Sequence, residues 1–490
     1  MRGILSFGAY VPRLRLRREA IVRSHSWYDA SLSAHRGGER AMCNFDEDAI
    51  TMAVEAARDC LSGLDTAPVD DLLLASTSLP YASRLNSSIV AQALNLAENV
   101  GAIDIASSQR GATSALIQAL RGGAARGALV VASDRRKAKA ASAQELLYGD
   151  AAGAVLVGDG PVIAEPLALE SRTIDMADHY RGAGAVTDTY WEERWIREEG
   201  HTAQIPQAIA AALRQAEIPP GQVDALCVAL PQKSAAQRIA KLAGIAPDRV
   251  RDTLAATVGN AGCAHPLLML AHALGAAAPG QVLVLVAFGQ GVDVLVLRTT
   301  PALAALPRRA GAEGWMARGK AEDNYMKFLV FNDMLALERG MRADNDKLTP
   351  LSVEYRNRKA VHGFVGGRCG ACGTAQWPRA DVCVNPACGA VGAQEDLPFA
   401  DTPARVMSYT ADRLAYSPSP PACYGMVQFE GGGRLMMDFT DVDEDELAVG
   451  LALRMSFRIK AYDAARGYTR YFWKATAAHP MENKHADGNS

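Results

Sequence analysis

Four of the nine cysteines fall into two pairs, Cys369-Gly-Ala-Cys372 and Cys383-Val-Asn-Pro-Ala-Cys388, separated by ten residues. A glycine follows the second cysteine of each pair, Gly373 and Gly389. Four thiolates held about 2.3 Å from a tetrahedral zinc need two tight turns, and glycine supplies the backbone those turns adopt. With all four positions taken by cysteine, no coordination site is left for water or substrate. The predicted metal, ligated by Cys369, Cys372, Cys383 and Cys388, is therefore a structural zinc. The five remaining cysteines are scattered, a distribution that suits a reducing cytoplasm better than a disulfide framework.

A second kind of chemistry is suggested by two small-residue loops. IDIASSQRGAT (103–113) and DTLAATVGNAGCAH (252–265) each follow a strand-like run and lead into an Ala/Leu-rich helix. The helices and the strands after them match without a gap: ALIQALRGGAARGALVV (115–131) superposes on MLAHALGAAAPGQVLVL (269–285) at a constant offset of 154. Two such strand–loop–helix units imply a duplicated core with pseudo-twofold symmetry. Its two loops meet where helix N-termini offer unpaired N–H groups to a carbonyl or oxyanion.

The elements that must position these loops are legible in outline. Aliphatic runs such as Asp71-Leu-Leu-Leu-Ala, Ala128-Leu-Val-Val-Ala and Val282-Leu-Val-Leu-Val are continuous, the pattern of strands covered on both faces. The fold class is α/β, a duplicated layered core, with halves at 1–165 and 166–305. Between the loops, 179–201 carries two His, two Tyr and two Trp, with Trp191 and Trp195 on one face if helical; packing or a lid would both use such residues. Residues 306–366 read as a linker and amphipathic helical connector, 367–392 as a zinc ribbon, and 393–480 as a small all-β barrel of the OB type, with alternating runs near 425–429, 434–439 and 453–459. The tail 481–490 reads as disordered.

At 490 residues, two or three domains are expected, and 49% hydrophobic with 21% charged residues describes a globular protein. A net charge of −3 gives no electrostatic reason to expect nucleic acid, and the 404–477 segment carries Asp and Glu freely. No apolar run is long enough to span a membrane, and the N-terminus reads as a first strand, so a cytoplasmic location is expected.

The opening RGILSFGAYVPRLRLRR resembles that of hydroxymethylglutaryl-CoA synthases, members of the thiolase superfamily, especially the archaeal type. Further segments keep the family's order: STSLPYASRLNSSIVAQAL (76–94), IASSQRGATSAL (105–116), YGDAAGAVLVG (148–158), VALPQKSAAQRIAKLAGI (228–245) and VGNAGCAHPL (258–267). Residues 320–478 resemble the zinc-ribbon/OB-fold companion of thiolase-like enzymes. The resemblance breaks at the catalytic residues. Thr77 stands where the family has a glutamate, Ser108 where it has the acyl-accepting cysteine, and Ala229 where it has a histidine. Asn260 alone is kept.

That pattern implies carbon–carbon bond chemistry beside a CoA thioester without an acyl-cysteine. Asn260 can donate to an oxyanion, helped by N–H groups at the start of the 111–120 helix. His265 is a candidate general base, with a packed or capping histidine as the alternative. Ser108 has no identified partner base and is expected to contact an acyl carbonyl rather than attack it. Cys263 reads as a buried, inert thiol. The expected function is Claisen or retro-Claisen acyl transfer between acyl-CoA and a β-keto acid or β-keto thioester, an aryl one being compatible with the aromatic 179–201 segment. A retro-aldolase acting on a β-hydroxyacyl-CoA and a non-catalytic acyl-CoA-binding scaffold stay open. A homodimer is expected.

Overall fold

The computed structural model describes residues 2–64, 69–106, 108–122, 127–343 and 350–478; the 481–490 tail lies outside them. The chain forms two compact units. The first comprises Met1–Asn44, Asp48–Val90 and Ala97–Leu335, and the second Phe45–Glu47, Ala91–Leu96 and Ala336–Ser490.

The first unit is built on a nine-stranded mixed sheet. Its spatial order is Gly101–Ile105, Asp71–Ala75, Gly127–Asp134, Ala151–Asp159, Arg2–Tyr10, Ala164–Thr173, Gly291–Thr299, Val282–Phe288 and Ala225–Val228. The aliphatic runs read from the sequence are its inner strands, and every residue of Gly127–Asp134 and Val282–Phe288 is buried. Val282, Val284, Val286 and Phe288 share a core with Ile205, Ala208, Ile209 and Ala212 of the helix Ala203–Gln215. The pleat turns the intervening Leu283, Leu285 and Ala287 to the opposite face.

The internal repeat is realised in the fold. The helices Gly111–Arg121 and His265–Gly275 have bounds that differ by 154 at both ends. Each is followed by an antiparallel strand pair, Gly127–Asp134 with Ala151–Asp159 in one half and Val282–Phe288 with Gly291–Thr299 in the other. Close approach of helix to sheet depends on Gly153, where a Cβ would come within 2.8 Å of Leu267 Cβ.

The expected helical connector differs from the reading. Residues 311–335 are part of the first unit, as two short helices, Gly311–Ala317 and Tyr325–Phe331, with a strand Lys320–Glu322 between them that pairs with Leu14–Arg17. Asn324 starts the second helix by accepting from the Lys327 N–H. Trp315, Tyr325, Phe328 and Phe331 are buried, which is where the apolar face of the connector goes.

In the second unit, Val365–Cys369 lies between Ala375–Gln376 and Gln394–Pro398 in a three-stranded sheet that carries the ribbon. An antiparallel sheet of five strands follows, ordered Arg434–Asp438, Ala422–Phe429, Ala404–Asp412, Ala452–Asp463 and Tyr468–Ala477. Its core is aromatic: Phe364 stacks on Trp473 at 6.1 Å and meets Phe429 at 5.7 Å. The sheet is of the OB kind, but among the described residues a single bridge, Phe439 to Ala475, joins its two end regions in place of a closing ladder. No helix among the described residues is long and apolar enough to cross a membrane.

Candidate active site

Asn260 sits in a loop held by backbone pairing. Its N–H donates to the Leu147 carbonyl at 2.7 Å, and its carbonyl accepts from the Gly149 N–H at 3.1 Å. The side-chain oxygen accepts from the Gly262 N–H at 2.9 Å and from Arg136 Nη2 at 3.2 Å. Two donors aimed at one atom identify it as the oxygen, so Nδ2 is the remaining donor of the amide. Among the described residues Nδ2 has no hydrogen-bond acceptor.

Asp134, at the end of its strand, ties three segments together. It accepts from the Thr77 N–H (2.7 Å) and hydroxyl (2.9 Å), from the Ser76 and Ser78 hydroxyls, and from the Cys263 N–H at 2.8 Å. Thr77 is thus engaged with a buried carboxylate, and the Ser76–Ser78 segment is tied to the 252–265 loop. A Cβ on Gly111 would lie 3.5 Å from Cys263 Sγ. Burial pushes the Cys263 thiol up, with Asp134 adding to the shift, while the Ala112 and Gly111 N–H groups oppose it. Of the N–H groups expected to face an oxyanion at the start of this helix, that of Gly111 donates to the Ser108 carbonyl at 3.0 Å and that of Ala112 faces the inert thiol.

Ser108 lies before that helix, its hydroxyl donating to the Gly289 carbonyl at 3.3 Å. Next to it, Arg110 anchors the loop. Its guanidinium pairs with buried Asp293 at 2.9 Å and donates to the Gly289 carbonyl at 3.0 Å and to the Thr173 hydroxyl at 2.8 Å. Asp293 also accepts from Thr113, Ser114 and Ser171. The sequence reading missed Arg110, Asp134 and Arg136, whose partners are up to 183 residues away.

His265 opens its helix with 1% of its surface exposed, and its Nδ1 accepts from the Ala261 N–H at 3.3 Å. Burial drives its pKa down to about 4, against a smaller opposing effect of the Thr253 backbone. The ring is neutral near pH 7, with its lone pair spent inside the loop. This geometry matches the packed alternative, since the helix has no side-chain cap and the ring is buried. Ala229 follows the strand Ala225–Val228 and contributes only a backbone N–H, to Val286 at 3.1 Å.

The aromatic segment lies against this loop. Tyr180 and Thr189 form a bridge, and Asp188 between them accepts from Arg181 at 2.7 Å and from the Tyr148 hydroxyl at 3.1 Å. Arg136 stacks over the Tyr148 ring at 3.7 Å. Burial pushes the Tyr148 hydroxyl up to about 12. Trp191 and Trp195 do not share a helical face: the helix begins at Glu193, and both indoles are exposed. A π-helix, Ile196–Thr202, follows, placing His201 edge-on to Phe288 at 4.8 Å.

In the second unit, Cys369, Cys372, Cys383 and Cys388 bring their sulfurs within 4.8 Å of one another, with separations of 3.6 Å for 372–383 and 3.9 Å for 369–388. A tetrahedron with zinc–sulfur bonds of about 2.3 Å has edges near 3.8 Å, so the four thiols fit the ion.

Comparison with known proteins follows this geometry. Residues 213–297 match the family model described as 3-oxoacyl-[acyl-carrier-protein] synthase III C terminal. Residues 356–391 match the ChsH2 rubredoxin-like zinc ribbon domain and 399–458 the ChsH2 C-terminal OB-fold domain. A hydroxymethylglutaryl-CoA synthase of Pyrobaculum aerophilum is 27% identical over 348 residues, covering 68% of this chain and 98% of its own. One from Methanosarcina mazei is 39% identical over 119 residues, covering 23% and 34%. Among solved structures, 3-oxoacyl-(acyl carrier protein) synthase III from Pseudomonas aeruginosa shares the fold at TM-score 0.55 and 22% identity, over 61% of this chain and 98% of its own. The curacin-pathway HMG synthase, solved with an acetyl donor-ACP, does so at TM-score 0.58 and 18% identity, over 69% and 92%. The chain thus joins, in one polypeptide, a thiolase-superfamily core homologous to hydroxymethylglutaryl-CoA synthases with a zinc ribbon and OB-fold domain of the ChsH2 kind.

Proposed function

We propose that the first unit is an acyl-CoA-dependent acyltransferase that makes or cleaves a carbon–carbon bond, by Claisen or retro-Claisen chemistry, on a β-keto acid or β-keto thioester. The relatives, named as hydroxymethylglutaryl-CoA synthases, support the reaction class. The observation that carries the reading is the Asn260 carboxamide, whose oxygen is fixed by Gly262 and Arg136 and whose Nδ2 is left as the donor. A preorganised donor of this kind stabilises the oxygen on which charge develops when a thioester carbonyl is attacked or an enolate forms. In this reading Ser108 contacts the acyl group and transfer between bound substrates is direct, without an acyl-enzyme. A β-keto acid generates its enolate by releasing CO2, so that step needs no protein base. His265 shapes the loop through the Ala261 N–H. The 179–201 segment forms one wall, with an aryl substituent as the group it would accommodate. The second unit holds a structural zinc, and the protein acts as a homodimer.

The test is incubation of the protein with CoA thioesters and β-keto acids, with mass spectrometry of the thioester pool. A new acyl-CoA or β-keto product that is lost in Asn260→Ala supports the reading. No turnover across acetyl-, propionyl- and aryl-CoA donors, with intact binding of those thioesters, would favour a scaffold.

A further inference from the structure

We infer that Arg136 is the positioning residue of this site, and that Asp188 is the latch that holds it in place. The inference rests on the reading of Asn260 as the oxyanion donor and adds how that donor is kept in its working orientation.

A carboxamide can rotate by half a turn and present oxygen where nitrogen was, and in this site the rotated form would repel an oxyanion. Arg136 acts against rotation at two points. Its Nη2 donates to the Asn260 carbonyl at 3.0 Å and to Oδ1 at 3.2 Å, fixing the backbone and side chain of one residue with one nitrogen. The guanidinium is 2% exposed and can reach this place because residue 262 is glycine. A Cβ there would lie 2.6 Å from Arg136 Nε and 2.4 Å from Asp134 Oδ2.

Arg136 is itself held from the other side. The Tyr148 ring packs under it, and Asp188 lies 3.7 Å from Nη1 while accepting from the Tyr148 hydroxyl and from Arg181. Asp188 comes from the segment bridged at Tyr180 and Thr189, whose Arg181 also donates to the Thr77 carbonyl. Asp188 and Asp134 face Arg136 together with Arg181, and Arg40 acts on it as a further positive charge, so removing one carboxylate leaves the guanidinium groups in excess. The placement of this segment and the orientation of the Asn260 amide are therefore linked through Arg136.

A positioning role predicts a loss in kcat with KM preserved. With an acyl donor that the wild type turns over, Arg136→Ala and Asp188→Asn should lower kcat by about ten- to a hundredfold, less than the loss from deleting a donor outright. KM should move less than about threefold, and Arg136→Lys, which keeps one donor, should recover part of kcat. In an Asn260→Ala background, Arg136→Ala should cause no further fall, because the group it acts through is gone. Additive losses, or a rise confined to KM, would overturn the inference in favour of direct substrate binding. A second measurement stands apart from turnover: the Asn260 side-chain amide resonances, assigned by their loss in Asn260→Ala. One sharp pair in the wild type that broadens or doubles in Asp188→Asn supports the latch, and an unchanged pair overturns it even if no acyl donor is ever turned over.

Discussion

Ser108 Oγ donates to the carbonyl oxygen of Gly289 at 3.3 Å, while the Arg110 N–H donates back to Ser108 Oγ at 3.3 Å. The hydroxyl is paired entirely with backbone, and no base stands among these partners to take its proton. Ser108→Ala should therefore cost less than about tenfold in kcat, against about 10²–10³ for Asn260→Ala. Peptide mass spectrometry after acyl-CoA treatment should show no acyl group on Ser108. An acylated Ser108 together with an inactive alanine variant would mean covalent transfer.

Acid should weaken the first unit through its buried histidines. Burial lowers both His201 and His265 from 6.5 to about 4. Below pH 6.5 the unfolded chain binds these protons and the native fold does not, so stability falls as pH drops from 6.5 toward 4 and is level above that window. Each ring contributes on the order of 3 kcal/mol to the whole drop. Denaturant unfolding at several pH values should show a shallower slope between pH 6.5 and 4 in His265→Asn than in the wild type. Equal slopes would mean that the ring is already protonated in the native state.

Removing zinc should act on one unit only. Cys383→Ser should lower bound zinc from about one per chain to near zero and increase hydrogen exchange across Val365–Gln376. Exchange in the helices Gly111–Arg121 and His265–Gly275 should stay as it was. Protection lost in both regions would show that the ribbon supports the α/β unit as well.

The connector should behave as part of the first unit. Trp315 packs edge-on to Tyr10 at 4.6 Å, Tyr325 donates to buried Glu145 at 2.7 Å, and Phe328 lies under the Arg40 guanidinium at 4.7 Å. Burying each such ring contributes roughly 1.5–3 kcal/mol, so together they rival the net stability of a domain. A chain ending at Leu335 should fold, and one ending at Leu306 should aggregate or melt well below it in a thermal scan. Equal melting temperatures would return the segment to linker status.

What the sequence carried was local or periodic. The duplication was visible because 115–131 and 269–285 keep one spacing, and the ribbon because its ligands lie within twenty residues. Asn260 was found through the resemblance, but the residue that orients it was not. Arg136 stands 124 positions away in a run of charges, Asp134-Arg-Arg-Lys137, with no local spacing that ties it to Asn260. Only folding shows that Asp134 and Arg136 turn inward, while Arg135 donates to the Phe331 carbonyl and Lys137 pairs with Asp333 at 3.2 Å. The connector misled for a related reason. Its apolar residues suit a helix, but Lys320–Glu322 found an open strand edge at Leu14–Arg17. For His265 both a base and a packed ring stayed open, because proximity to Asn260 in the chain does not reveal that Nδ1 turns to the Ala261 N–H.

The offset of 154 that relates the two halves pairs Ser108 with Gly262. In one half that position carries a hydroxyl at the mouth of its helix. In the other, the backbone has φ +56° and the space a methyl group would fill is taken by the Arg136 and Asp134 side chains. The twin copies have therefore specialised by opposite means, one presenting a side chain and the other withdrawing one. Any side chain at 262 would have to displace Arg136 and Asp134, so the arginine's place in this half depends on the glycine there.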